Sequence, residues 1–140
     1  MSVPKDKRNE GQLAVNTAAR AICVHVLKIT GNEKNFPPDQ EEFAQKLRDI
    51  ALQIDLDCWN ANNIKVGSSE KLYRDRLDLE EKAARECTDM LELLNIAKPL
   101  YHMSSKRYKY LTDAYVRLRK MIRNWYQSDR DRLNPQQSGM

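Results

Sequence analysis

The stretch Tyr108-Lys109-Tyr110-Leu111-Thr112-Asp113-Ala114-Tyr115-Val116-Arg117-Leu118-Arg119-Lys120-Met121-Ile122-Arg123-Asn124-Trp125 decides the fold class. Its large apolar residues Tyr108, Leu111, Tyr115, Leu118, Ile122 and Trp125 recur at alternating spacings of three and four. That spacing draws one apolar line along an α-helix and keeps it turned toward a partner helix. A strand would instead alternate at every second residue. Ser104 or Ser105 offers an N-cap, and the helix is expected to reach about Gln127.

Working outward, three more helices are expected. One begins at Ser68 or Ser69 and runs to about Lys98, where Pro99 stops it. It carries Leu72, Leu79, Ala83, Cys87, Met90 and Leu94 on one face. Another spans about Asp39 to Asn60, with acids at Asp39, Glu41 and Glu42 in its first turn, where the helix dipole favours them. Its stripe is Phe43, Leu47, Ile50, Ile54 and Cys58, and Asn62-Asn63 supply the following turn. The first helix covers about Arg8 to Ile29, with Val15, Ala18, Ala19, Ile22, Val26 and Ile29 inward. Gly31-Asn32 ends it, since both residues tolerate the left-handed conformation. Phe36 is expected to tuck inward from the next loop. The chain has only four Gly and five Pro, and they fall between these segments or at the ends. The reading is all-α: an antiparallel up-down-up-down four-helix bundle over residues 8–133, with a flexible start at 1–7 and a disordered tail at 134–140.

Composition narrows the function. Cys23, Cys58 and Cys87 are an odd number without metal-ligand spacing, and read as buried thiols. Met1–Gly11 is charged and lacks the apolar core of a signal peptide. No apolar run approaches the roughly 20 residues of a membrane span, so a cytoplasmic protein is expected. The two histidines, His25 and His102, belong to no triad or metal spacing. No glycine-rich phosphate loop is present. Glu41-Glu42 and Glu80-Glu81 read as helix-start and solvated-face carboxylates. These features point away from an enzyme, and no metal or cofactor is expected.

The basic residues are more informative. Between Ser104 and Leu133 nine Lys or Arg stand against three acids, in a chain of net charge +4. The remainder is therefore mildly acidic, which suggests an anionic partner for the basic end. At 100° per residue, Lys106, Lys109, Arg117, Lys120 and Arg123 fall opposite the apolar line, with Asp113 the countercharge among them. A solvated helix face usually mixes signs. Like charges at i,i+3 repel, and a phosphate backbone or an acidic protein surface would relieve that repulsion. Tyr110 and Asn124 flank the arc, either as nucleotide contacts or as ordinary surface residues. Trp59, in Cys58-Trp59-Asn60-Ala61-Asn62, either closes the end of the core or makes a partner contact. Val24, Leu27, Leu56, Leu77 and Leu93 lie off the stripes, which suggests a subunit contact.

Several stretches carry a family resemblance. They are Leu27-Lys28-Ile29-Thr30 with Phe36-Pro37, Cys58-Trp59-Asn60-Ala61-Asn62-Asn63-Ile64, Tyr73-Arg74-Asp75-Arg76, and Ile122-Arg123-Asn124-Trp125-Tyr126-Gln127-Ser128-Asp129-Arg130. Over roughly Lys7 to Arg132 the chain resembles the four-helix-bundle proteins that include the accessory variability determinants (Avd) of diversity-generating retroelements. These are related in fold to proteins encoded in intervening sequences of bacterial ribosomal RNA genes. The resemblance implies a homo-oligomer, a pentameric barrel with a positive surface. It also implies association with a reverse transcriptase and its template RNA in mutagenic reverse transcription. The alternative it leaves is an intervening-sequence-type bundle that binds RNA or another protein without a retroelement. This chain's charge excess is modest and acids dominate helix 2, which favours a defined protein partner over unspecific nucleic-acid binding.

Overall fold

The computed structural model describes residues 5–134 in backbone and 14–134 in side chain. Its helices are α1 (Lys5–Thr30), α2 (Glu41–Asn63), α3 (Glu70–Leu100) and α4 (Ser105–Leu133), with a single 3₁₀ turn at Pro38–Gln40 before α2. Among the described residues there is no strand.

Each helix buries a line of residues that alternates three and four apart. In α1 it is Val15, Ala19, Ile22, Val26 and Ile29; in α2, Ala44, Leu47, Ala51, Ile54, Cys58 and Ala61. In α3 it is Arg76, Glu80, Ala83, Cys87, Met90, Leu94 and Ala97; in α4, Leu111, Tyr115, Leu118, Ile122, Trp125 and Asp129. Burying one large aliphatic side chain contributes about 1.5–3 kcal/mol, so these four lines are the core. α1 packs on α2, α2 on α3, α3 on α4 and α4 back on α1, while the diagonal pairs stay further apart. Neighbours are antiparallel. The Arg20 guanidinium lies over Trp59, while ten residues further along α1 Arg48 of α2 donates to the Thr30 carbonyl at 3.3 Å. The all-α four-helix bundle is the observed fold.

The register differs from the expected stripes in instructive places. Leu72 is exposed and Leu79 half-buried, because the α3 line runs through Arg76 and Glu80 instead. Glu80, expected on a solvated face, is 0% exposed. Phe43, Ile50 and Tyr108 are half-buried flanks of the lines.

The helix ends also differ. α2 continues through Asn62 and Asn63, and the Asn63 amide donates back to the Trp59 carbonyl at 2.8 Å. α3 carries Pro99 within its last turn and ends at Leu100. The stop is His102, held at φ 54°, with the Met103 N–H donating to the Lys98 carbonyl at 3.1 Å. This is the six-to-one bond of a Schellman ending, at a position that glycine usually takes. Gly31 does not adopt the left-handed conformation; a Cβ there would lie 3.1 Å from the Leu27 carbonyl oxygen, so it is closeness that suits glycine. α4 runs six residues past Gln127 because Asp129 and Arg132 have partners to reach. At the edges of the chain, Lys5–Lys7 are helical and Asn134 caps α4, whereas 1–4 and 135–140, expected to be flexible, lie outside the described residues.

Phe36 is buried as expected, its ring 6.2 Å from that of Tyr101. Cys23, Cys58 and Cys87 are buried free thiols, and burial pushes each thiol up from its ordinary value. No helix among the described residues is long and apolar enough to cross a membrane.

Candidate functional site

The inward line of α4 fixes the direction of everything opposite it. With Leu111, Tyr115, Leu118, Ile122 and Trp125 buried, Lys106, Lys109, Arg117, Lys120 and Arg123 all stand exposed to water. From Lys106 to Arg123 the face covers about 26 Å at 1.5 Å per residue. Lys109 pairs with Asp113 at 2.9 Å. Lys106, Arg117, Lys120 and Arg123 make no ion pair among the described residues. The first turn of α4 holds no acid, although acids are what its dipole would favour there. Two other α4 cations are drawn off this face. Arg107 donates to Asn35 Oδ1 at 2.9 Å, and Arg119 donates to Thr88 Oγ1 at 3.0 Å.

Of the flanking residues, Tyr110 is exposed but already lies against His25 of α1, with ring centroids 4.7 Å apart and the rings tilted by 53°. His25 is held below its ordinary pKa, first by burial and then by the charges of Arg107 and Lys28. His102 serves the chain reversal after α3. Trp59 does not close the core: it is 46% exposed and lies under the Arg20 guanidinium at 5.6 Å. Leu56 and Leu52 share its face of α2, one and two turns back, and are exposed as well. Of the residues expected off the stripes, Val24 and Leu56 are exposed, Leu27 and Leu93 half-buried, and Leu77 buried.

A polar cluster where the start of α3 meets the end of α4 was not foreseen. Arg76 holds Asp129 with two bonds, Nε to Oδ2 at 2.9 Å and Nη2 to Oδ1 at 2.5 Å. Arg132 reaches the same carboxylate at 3.4 Å. Glu80 lies beside them, 3.7 Å from Arg76 Nε. Burial, a hydrogen bond with Asp129 and the Asp129 charge push Glu80 up to about 10. That environment favours the neutral, protonated carboxyl of Glu80 over its charged form. A smaller pair joins α2 to α3: burial and a hydrogen bond with Asp57 push Glu86 up to about 8, and Lys82 Nζ stands 3.5 Å from Asp57. Perturbed carboxyls often mark catalytic sites. Here Glu80 and Asp129 are each 0% exposed, so no substrate reaches them, and the cluster acts as an internal tie. The available signal was the three-four register itself, which continues from Trp125 to Asp129 and backward from Ala83 to Glu80 and Arg76.

No group of three or more His, Cys, Asp or Glu among the described residues is placed to hold a metal ion. The arrangement suited to contact with other molecules is the cationic face of α4. No protein-family model, curated protein or solved structure matches the chain.

Proposed function

We propose that this chain is a non-catalytic accessory protein that binds a reverse transcriptase and its template RNA, acting in the cytoplasm as a homo-oligomer in a diversity-generating retroelement. The observation that carries the binding role is the set of exposed cations on α4 without carboxylate partners. Phosphates bound there would displace counterions, so affinity falls linearly in log terms as log salt rises. The retroelement assignment rests on the sequence resemblance. An intervening-sequence-type bundle would use the same face for RNA or protein without a reverse transcriptase. The apolar surface of Leu52, Leu56 and Trp59 on α2, with Val24 on α1, supports self-association.

Reversing Arg117 and Lys120 together to Glu should abolish association with the reverse transcriptase–RNA complex while circular dichroism stays helical. A pull-down at two salt concentrations reads this. A folded double variant that binds as tightly as wild type would mean the face is merely solvated. Multi-angle light scattering addresses assembly: a clean 16.4 kDa monomer at working concentration would remove the oligomer.

A further inference from the structure

The flank between α3 and α4 carries a groove of about 300 Å³ lined by Glu80, Glu81, Ala84, Arg85, Arg123 and Tyr126. Arg123 ends the α4 cationic face, so the groove continues that face onto α3. Arg85 is exposed, with Glu81 one turn before it and Asp89 one turn after, yet it pairs with neither within 4 Å. Comparable neighbours elsewhere do close, as Arg74–Glu70 at 2.7 Å and Lys71–Asp75 at 3.0 Å show. Glu80 is 0% exposed beneath the groove, with its carboxyl 3.7 Å from Arg76 Nε. On the exposed walls two arginines, Arg85 and Arg123, thus stand with one acidic residue, Glu81. Tyr126, half-buried and three residues after Arg123, adds an aromatic side chain to the wall.

Guanidinium groups are planar forks matched to phosphate oxygens. An aromatic ring beside them suits an unstacked base. We infer that this groove is a subsite for single-stranded RNA, in which Arg85 and Arg123 hold a phosphate and Tyr126 stacks on the adjoining base. The inference rests on the reading of the α4 face as an RNA contact and adds Arg85 and Tyr126 to it.

The test is fluorescence anisotropy on the full chain, with labelled oligouridylate and a duplex RNA of equal length. Tyr126→Ala should weaken single-strand binding about tenfold and leave the duplex unchanged, because duplex bases are already stacked. Tyr126→Phe should bind like wild type. Tyr126→Leu keeps apolar bulk and should lose binding in the same way, should the alanine variant fail to fold. Arg85→Ala should weaken both RNAs, and Arg85→Lys should restore only part of the loss. If the Arg85 and Tyr126 variants bind normally while Arg117→Glu/Lys120→Glu does not, the groove is overturned and the α4 face stands. If all of them bind normally, both readings fall. Displacement of oligouridylate by polyglutamate of equal charge as effectively as by unlabelled RNA would make the groove a site for acidic protein, which also overturns the inference.

Discussion

Arginine has opposite fates in two regions of the α3–α4 pair. Where α3 begins and α4 ends, Arg76 is 5% exposed, with its Nε and Nη2 on Asp129, its Nη1 donating to the Ile64 carbonyl at 3.4 Å and its guanidinium near the rings of Tyr73 and Trp125. In the middle of α4, Arg117 and Arg123 face water with no carboxylate within 4 Å. Position on the helix explains the difference. Arg76 and Asp129 occupy the inward line, where an unpaired charge is prohibitively costly, so each has a partner. Arg117 and Arg123 lie opposite that line, where water satisfies them and pairing is optional. The count of basic residues therefore says little about binding; their angle to the buried line decides which of them are free to meet a partner.

The largest effect is expected inside. Asp129→Ala strands the Arg76 guanidinium and should destabilise the fold by about 3–5 kcal/mol in urea denaturation. Replacing the pair together, Arg76→Met with Asp129→Leu, should recover most of that loss. A loss below about 1 kcal/mol for Asp129→Ala would mean water reaches the cluster, and the contrast between the two regions would dissolve.

An intermediate effect lies in pH. Burial, and then Asp129, push Glu80 up to about 10 in the fold, from 4.5 for an ordinary glutamate. Between those values the native chain holds a proton that the unfolded chain has lost, so this contribution to stability is full below about 4.5 and fades as pH rises toward 10. Glu86 acts with the same sign up to about 8. Glu80→Gln keeps a donor for Asp129 and should flatten the decline of the denaturation midpoint between neutral and alkaline pH. Parallel wild-type and variant profiles would show that Glu80 is ionised in the fold.

The smallest stability effect belongs outside. Arg117→Glu/Lys120→Glu, which should end binding, should shift stability by only about 0.5 kcal/mol. A loss of several kcal/mol would show the α4 face to be structural, and the proposed interface would lose its footing.

Much of the fold was legible because helical periodicity is a local property. The α4 seam from Leu111 to Trp125, the inward Phe36, the serine caps and the buried cysteines all follow from spacing and chemistry within a few residues. Ser69 and Ser104 each accept the backbone N–H three residues on, at 3.2 and 3.1 Å. The exposure of Lys106, Lys109, Arg117, Lys120 and Arg123 was legible for the same reason. The misread places are those where polarity and burial disagree. Arg76, Glu80 and Asp129 sit on inward lines, but a reading that looks for apolar residues passes over them and selects Leu72 and Leu79.

What the sequence alone determined is therefore the set of helices, their order and the angular position of each residue about its own axis. Only the tertiary structure decided which residues meet across helices. Arg76 and Asp129 are 53 residues apart, and Arg85 and Arg123 share one groove by virtue of how α3 and α4 are offset. The offset depends on the simultaneous packing of four buried lines, a sum over the whole core that no local spacing contains. That packing put Glu80 inside against Asp129, left its neighbour Glu81 on the groove wall, and set Tyr126 beside two unpaired arginines.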